Sequence, residues 1–510
     1  MADPIPQTVW QIDLDNEVAT AHLAREIALT LRAGDLVTLS GDLGSGKTSF
    51  ARALIRHLTG EAQLEVPSPT FTLMQIYSTP AFPVVHADLY RIKSPDELVE
   101  LGWDEAAEGA LLLVEWADRA GTQLPLDRLD VALELSPDGA ESRRAVLTAS
   151  GDFAPRITRA RAIHDILERS GWSDAQRSFM LGDASTRAYE RLLNPDGSRA
   201  ILMISPRRPD GPPIRYGRPY SAIAKLAEDI RAFVHIDFGL VAQGFSAPQI
   251  YAYDFENGLA VLEDLGDGLV VDENGPISER YGEAAAALAA LHGRELPAIL
   301  EIEGDAPYAI PAYDLEALLI EVELLLDWYL SHCGADGMSS GARVQFINLW
   351  RQALEPLMAE PQTWALRDYH SPNLIWLPER DELRRIGIID FQDCVLGHPA
   401  YDVASLLQDA RVTVADDLEL RLLTHYARKR RDLDPSFDMV AFARAYAVLG
   451  AQRATKILGI FVRLNKRDGK PQYMDHLPRV EAHLSKDLAH PALADLRAWF
   501  ATYLPHLAGA

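Results

Sequence analysis

Two stretches of this chain place residue types at the spacings that phosphate chemistry needs. Gly41-Asp42-Leu43-Gly44-Ser45-Gly46-Lys47-Thr48 follows the apolar run Leu36-Val37-Thr38-Leu39 and satisfies G-x-x-x-x-G-K-[ST]. In that pattern glycines let backbone N–H groups curl round a β-phosphate, the lysine reaches the β and γ oxygens, and the adjacent hydroxyl serves Mg²⁺. Gly41, Gly44, Ser45, Gly46 and Lys47 are therefore candidate nucleotide ligands, and Thr48 a candidate for both nucleotide and metal. The second stretch is Asp368-Tyr369-His370-Ser371-Pro372-Asn373, a D-x-x-x-x-N pattern, with Asp390-Phe391-Gln392 closing the apolar run Ile386-Gly387-Ile388-Ile389. Phosphoryl transfer to an alcohol uses such a set: one Asp to accept the hydroxyl proton, an Asn to hold Mg²⁺, and a second Asp to bridge metal and phosphates. Asp368 is the candidate base, and Asn373 and Asp390 are candidate metal ligands.

Each set needs elements that hold it. From residue 34 to about 135, short apolar runs at 36–39, 84–87, 111–114 and 131–133 alternate with helical stretches, as buried parallel strands do. An alternating run, 143–150, precedes Gly151-Asp152-Phe153-Ala154-Pro155 and a fresh helical pattern over 157–170. The domain seam is therefore expected between about 150 and 158. After it, short strands with turn signals run to about 265. Helical segments dominate from there on, interrupted by a strand-like pair at 373–377 and 386–390. The Ala-rich stretch 283–291 reads as one buried helix. The organisation expected is a 1–150 ATPase domain and a 158–510 kinase domain, the latter split into a small lobe at about 158–265 and a helical lobe at about 266–510.

Three further clusters accompany the glycine-rich loop: Val66-Pro67-Ser68-Pro69-Thr70-Phe71, His86-Ala87-Asp88-Leu89-Tyr90-Arg91 and Val114-Glu115-Trp116. With the loop, these resemble the TsaE family, the ATPase subunit of the machinery that makes threonylcarbamoyladenosine in tRNA. The resemblance covers about residues 10–135. It implies an α/β P-loop NTPase domain with a largely parallel sheet. Asp88 and Glu115 end strands near the phosphates, so one can hold the Mg²⁺ water shell while the other orients attacking water. Thr70 is placed to sense the γ-phosphate. The family acts on partner proteins of the TsaD and TsaB type, and through them on tRNA.

The second set resembles the aminoglycoside-phosphotransferase superfamily over about residues 160–500, which implies a two-lobed protein-kinase-like fold. Gly182-Asp183-Ala184-Ser185-Thr186-Arg187-Ala188-Tyr189 reads as a turn between strands, whose backbone and hydroxyls, with Ser185, Thr186 and Arg187, cover the ATP phosphates. Leu262-Glu263-Asp264-Leu265-Gly266 has the composition of an adenine-holding hinge, with Glu263 and Leu265 as candidates. Met203 stands where a phosphate-pairing lysine is expected, and Arg187 or Arg191 is the candidate replacement. Residues 452–480, together with GDASTRAY, LEDLGD and DYHSPNLIW, narrow the resemblance to the anomeric kinases of N-acetylmuramate and N-acetylglucosamine (AmgK type) that serve cell-wall recycling. Arg453, Lys456, Arg463, Arg467 and Lys470 suit an anionic or hydroxyl-rich acceptor there. A kinase for another small alcohol and a non-catalytic nucleotide-binding scaffold are the alternatives.

Composition restricts the partners. With 510 residues, 48% hydrophobic and 24% charged, the chain is globular and long enough for several domains. The formal net charge of −25 excludes a large basic surface for gripping nucleic acid directly. Two cysteines, Cys333 and Cys394, suggest neither a disulfide framework nor a cysteine metal site. With no export-type leader and no long uncharged apolar run, a cytoplasmic location is expected. ATP and Mg²⁺ are the cofactors both sets call for.

Overall fold

The apolar runs of the first 150 residues fold into one seven-stranded sheet. In chain order its strands are β1 (Gln7–Leu14), β2 (Leu36–Ser40), β3 (Met74–Tyr77), β4 (Val84–Asp88), β5 (Leu111–Glu115), β6 (Leu129–Leu135) and β7 (Arg143–Ser150). Their spatial order is β1-β7-β6-β2-β5-β4-β3. The four central strands, β6, β2, β5 and β4, are parallel, whereas β1, β7 and β3 pair antiparallel at the two edges. The expected parallel sheet thus forms the centre, and antiparallel strands extend it at both edges. The central strands β4 and β5 are buried along their whole length, as continuous apolar runs require, while β7 alternates buried and half-buried residues. This computed structural model describes residues 7–94, 97–100, 102–136, 142–180, 187–207, 209, 211–335 and 337–509.

The seam lies further along than the sequence suggests. The chain divides into Met1–Ser173 and Asp174–Ala510. The helix Phe153–Arg169 belongs to the first unit: Phe153, Ile157 and Ala160 join Trp10, Leu23 and Phe50 in one core. Arg156 clamps Asp35 through two nitrogens at 2.7 and 3.0 Å, and Thr158 bonds Thr8 at 3.0 Å. A helical pattern beginning after a Gly-Asp turn looks like the start of a new domain, but its apolar face is covered by the sheet that precedes it.

The second unit begins with a five-stranded antiparallel sheet of order β13-β14-β10-β9-β8. The strands are β8 (Gln176–Met180), β9 (Ala188–Leu193), β10 (Arg199–Ile204), β13 (Ile250–Asp254) and β14 (Leu259–Glu263). Between β10 and the helix Ile230–Ala242 lies a short hairpin of β11 (Pro213–Arg215) and β12 (Arg218–Pro219). The remainder is mainly helical. The Ala-rich stretch forms the helix Ser278–His292, and the 30-residue helix Met439–Asp468 runs through the core with most residues from 445 to 462 buried. The strand pair Leu374–Trp376 and Ile386–Ile388 is antiparallel with Leu374 opposite Ile388, so Asn373, just before the first strand, and Asp390, just after the second, are brought to the same end. Among the described residues no helix is long and apolar enough to cross a membrane.

Candidate active sites

The first site sits where the parallel strands β2, β4 and β5 end. Gly41, at φ 131°, leaves β2 so close to the neighbouring strand that a Cβ there would lie 2.1 Å from the Leu133 carbonyl oxygen. Only glycine fits. Gly44 and Gly46 are also left-handed, and Gly46 opens the helix Lys47–Thr59, whose first N–H groups face the loop. The Lys47 ammonium donates to the Gly41 and Asp42 carbonyls at 2.8 and 2.9 Å and lies 4.6 Å from the Trp116 ring centre. Ser45 is buried, and Arg143 donates to its carbonyl at 3.0 Å.

Asp88 and Glu115 are neighbours in parallel register at the ends of β4 and β5, both nearly fully buried. One oxygen of Asp88 accepts from Ser68 and Thr70, each at 2.8 Å, and the other accepts from the Tyr90 N–H at 3.0 Å. Glu115 receives the Thr48 hydroxyl at 3.3 Å and faces His86 Nε2 at 3.0 Å. Lys47, Thr48, Thr70, Asp88 and Glu115 thus converge on one end of the sheet. His86, Ser68 and Arg143 complete the cluster. The first two lie inside the motifs, whereas Arg143 comes from β7 and has no local signal.

In the second unit the Asp368–Asn373 segment is a tight loop. Asn373 Nδ2 donates to the Asp368 carbonyl at 2.9 Å and points toward Asp390 Oδ2 at 3.5 Å. Asp390, itself at φ 58°, accepts from Arg187 Nη1 at 3.0 Å and Gln392 Nε2 at 2.9 Å. Asp402 anchors the loop: its two oxygens accept from the N–H groups of Leu366 and Arg367 at 2.7 and 2.8 Å. Asp409 does the same for Ser371, accepting from its N–H at 2.9 Å and from its hydroxyl. These two anchors bind backbone groups more than thirty residues away, and no spacing rule marks them.

The two site carboxylates have opposite proton affinities. Burial pushes both upward, but His370, Lys456, Arg367 and Arg453 together pull Asp368 below its ordinary range. For Asp390, burial and the charge of Asp368 outweigh Arg187 and Gln392, so its affinity rises. Of the two, Asp368 gives up its proton more readily. Behind it, Glu321 is fully buried and accepts from Arg367, from Tyr313, from Gln452 at 3.0 Å and from Lys456 at 3.3 Å. Lys456 also donates to the Tyr401 hydroxyl at 2.9 Å. The network holds Arg367 in its left-handed conformation, φ 67°, immediately before Asp368.

The other sequence candidates separate. Arg187 reaches Asp390, whereas Arg191 pairs with Asp264 and Asp267 at 3.0 and 2.9 Å beside the hinge. Met203 is fully buried in the core. The Glu263 side chain pairs with Arg380 and accepts from the Gln249 N–H, while Leu265 packs toward Gly387. Arg453 and Lys456 act on Asp368, and Arg463 stacks over Tyr220. Arg467 is exposed and paired with its neighbour Asp468, and Lys470 follows the helix end at Gly469. Ser185 and Thr186, with the rest of 181–186, lie outside the described residues.

Known proteins with these two halves exist separately. The family described as threonylcarbamoyl adenosine biosynthesis protein TsaE matches residues 14–145, and the phosphotransferase enzyme family matches residues 177–436, half of the chain. The chain is a phosphotransferase-family kinase with an N-terminal TsaE domain. It is 39% identical over 350 residues to the N-acetylmuramate/N-acetylglucosamine kinase of Caulobacter vibrioides, covering 66% of this chain and 95% of that one. The kinase of the same name from Pseudomonas aeruginosa is 31% identical over 65% of this chain and 90% of its own. The tRNA threonylcarbamoyladenosine biosynthesis protein TsaE of Rickettsia bellii is 44% identical over 128 residues, 25% of this chain and 88% of its own. Each kind of relative is matched over most of its own length by one half of this chain. The kinase fold and the ATPase fold are therefore both present as whole domains.

Proposed function

We propose that one chain joins two activities: the ATPase of tRNA threonylcarbamoyladenosine synthesis, and an ATP-dependent kinase acting on the anomeric hydroxyl of N-acetylmuramate and N-acetylglucosamine in cell-wall recycling. For the kinase, the observation that carries the reading is the ionised Asp368 beside the Asn373–Asp390 pair, in a domain 39% identical to an N-acetylmuramate/N-acetylglucosamine kinase. Asp368 accepts the proton of the anomeric hydroxyl as its oxygen attacks the γ-phosphorus, and the bond to ADP breaks. An anomeric hydroxyl is more acidic than an ordinary alcohol, so a carboxylate suffices as base. Asn373 and Asp390 offer an amide and a carboxylate side by side, a donor set that suits Mg²⁺ shared with phosphates. The ion, when bound, offsets charge on the transferring phosphoryl group. Arg187 supplies the cation that Met203 does not, and Glu263 and Leu265 border the adenine.

For the ATPase, Lys47 and the loop glycines hold the phosphates, Thr48 and Asp88 or Glu115 serve Mg²⁺ and the attacking water, and Thr70 reports the γ-phosphate through Asp88. Its partners are proteins of the TsaD and TsaB type, and tRNA is reached through them, as the acidic charge balance requires. A cytoplasmic setting, where ATP and tRNA are found, follows from the same reading.

The kinase reading is tested by incubating the chain with ATP and a panel containing both amino sugars, an aminoglycoside and choline, followed by phosphorus NMR. The expected product is a sugar 1-phosphate that resists borohydride, because its reducing end is blocked. A borohydride-reducible sugar phosphate, or transfer to choline or the aminoglycoside alone, would contradict it.

A further inference from the structure

Between β10 and the helix Ile230–Ala242 the chain makes a strap that the kinase motifs do not use. The β11–β12 hairpin turns at Tyr216 and Gly217, both with positive φ (51° and 73°), the geometry of a tight two-residue turn. Its flanks are pinned to the helix Leu315–Leu324: Arg215 pairs with Glu323 at 2.8 Å, Arg218 with Glu316, and Lys225 with Asp314 at the helix cap at 3.1 Å. The strap then meets the catalytic segments. Arg367 donates to the Ala224 carbonyl at 3.0 Å, and the Ala227 N–H donates to Asp393 at 2.6 Å. Tyr220 packs beside Ile223, Ala224 and Ile320.

Tyr220 meets Arg463 of the long helix, whose guanidinium lies 5.2 Å from the ring centre. Along that helix most cations have partners. Lys456 has Glu321, Arg453 donates to the Gln408 carbonyl, and Arg467 has Asp468. Arg463 differs. Its Nε is buried without a hydrogen bond, and among the described residues no carboxylate lies within ion-pair distance. A guanidinium nitrogen withdrawn from water without an acceptor is costly, and burial, against the pull of Tyr220 and Asp468, weakens the group's hold on its proton. Lys456 lies in the field of both Asp368 and Tyr220, and Arg463 follows two helical turns later, about 10 Å along the axis. A cation without an ion-pair partner among the described residues thus sits beside an aromatic wall, on the same helix as a lysine that acts on Asp368.

We infer that Arg463, backed by Tyr220, is a carboxylate subsite of the acceptor pocket, which takes the acidic substituent of the sugar while Asp368 faces its anomeric hydroxyl. The pair thereby favours an acidic amino sugar over a neutral one. This rests on the amino-sugar kinase reading, and N-acetylmuramate, with its lactyl carboxylate, and N-acetylglucosamine, without one, are the matched probes.

The test compares kcat/KM for the two sugars in the full chain. Arg463→Gln should lower the value for N-acetylmuramate by about 30-fold or more, chiefly through KM, the loss expected when one partner of a buried charge pair is truncated. N-acetylglucosamine should stay within about 3-fold, which also shows that the variant is folded. Tyr220→Ala should shift the ratio in the same direction, and Arg421→Gln, at an exposed arginine paired with Asp417, should change neither sugar. Equal losses for both sugars, or an unchanged ratio in Arg463→Gln, would overturn the subsite while leaving the kinase reading intact. Turnover of neither sugar by the native chain would overturn the kinase reading itself, and the subsite with it.

Discussion

Asp368 and Asp390 lie in one pocket, and their neighbours drive their proton affinities apart: four cationic or basic groups act on Asp368, while Asp390 feels its neighbour's charge. On the kinase reading proposed above, Asp368 is the base and Asp390 a metal ligand. Asp368→Asn should lower turnover by roughly 10² to 10⁴ with ATP affinity nearly unchanged, the range for removal of a general base. Asp390→Asn should weaken nucleotide binding as well, measured by titration with ATP and Mg²⁺. Because the Asp368 carboxyl is held below its ordinary range, the acid limb of its pH–rate profile should fall below the usual aspartate region. At this scale residue type and spacing alone picked out side chains that the structure gathers into two clusters, Lys47, Thr48, Asp88 and Glu115 in one and Asp368, Asn373 and Asp390 in the other. Asp402, Asp409 and Arg143 escaped it because they bind backbone groups of distant segments, and any strand or helix position that reaches those groups would serve.

Two elements carry the site's rigidity, and each has a measurable weak point. The helix Leu315–Leu324 presents Glu321 to Arg367 and Lys456 in a dry interior. Glu321→Gln leaves two buried cations undercompensated and should destabilise the kinase unit by about 3–5 kcal/mol in urea unfolding. The helix Ile230–Ala242 buries Asp237, with one oxygen lacking a hydrogen-bond partner among the described residues, and burial, aided by the charge of Glu263, raises its carboxyl to about 8. Folded Asp237 therefore holds a proton that the unfolded chain releases near the ordinary value of 3.8, so its contribution is fully present below that value and is lost as pH rises toward 8. Asp237→Asn should flatten that slope and stabilise the unit at pH 8 by a few kcal/mol, on the order set by the shift. The strands β2, β4, β5 and β6, the strand pair flanking Asn373 and Asp390 and the Ala-rich helix were legible from apolar runs of the right length. Edge strands β1 and β3 were not, since much of each is solvent-exposed and its pattern weak.

At the scale of the chain, the two family matches fall on either side of the helix Phe153–Arg169, whose Phe153, Ile157 and Ala160 pack into the core of the first unit. A fragment ending at Ser173 should melt cooperatively, and one ending at Ser150 should be less stable by on the order of 5 kcal/mol, since Phe153 and Ile157 would no longer cover Trp10 and its neighbours. The sequence placed the seam too early because a Gly-Asp turn opening a helix looks the same at a domain start as at a domain's last element. A fragment beginning at Asp174 retains both kinase lobes and should keep sugar phosphorylation. The central claim is that two self-contained phosphate sites share one chain. Its most direct test is the rate of sugar 1-phosphate formation by the full-length Lys47→Ala variant, alongside its ATP hydrolysis and support of tRNA threonylcarbamoylation. The account predicts that the last two are lost while sugar phosphorylation stays within about 2-fold of the native rate, Lys47 being part of one P-loop only. Equal loss of all three activities in a folded variant would contradict it.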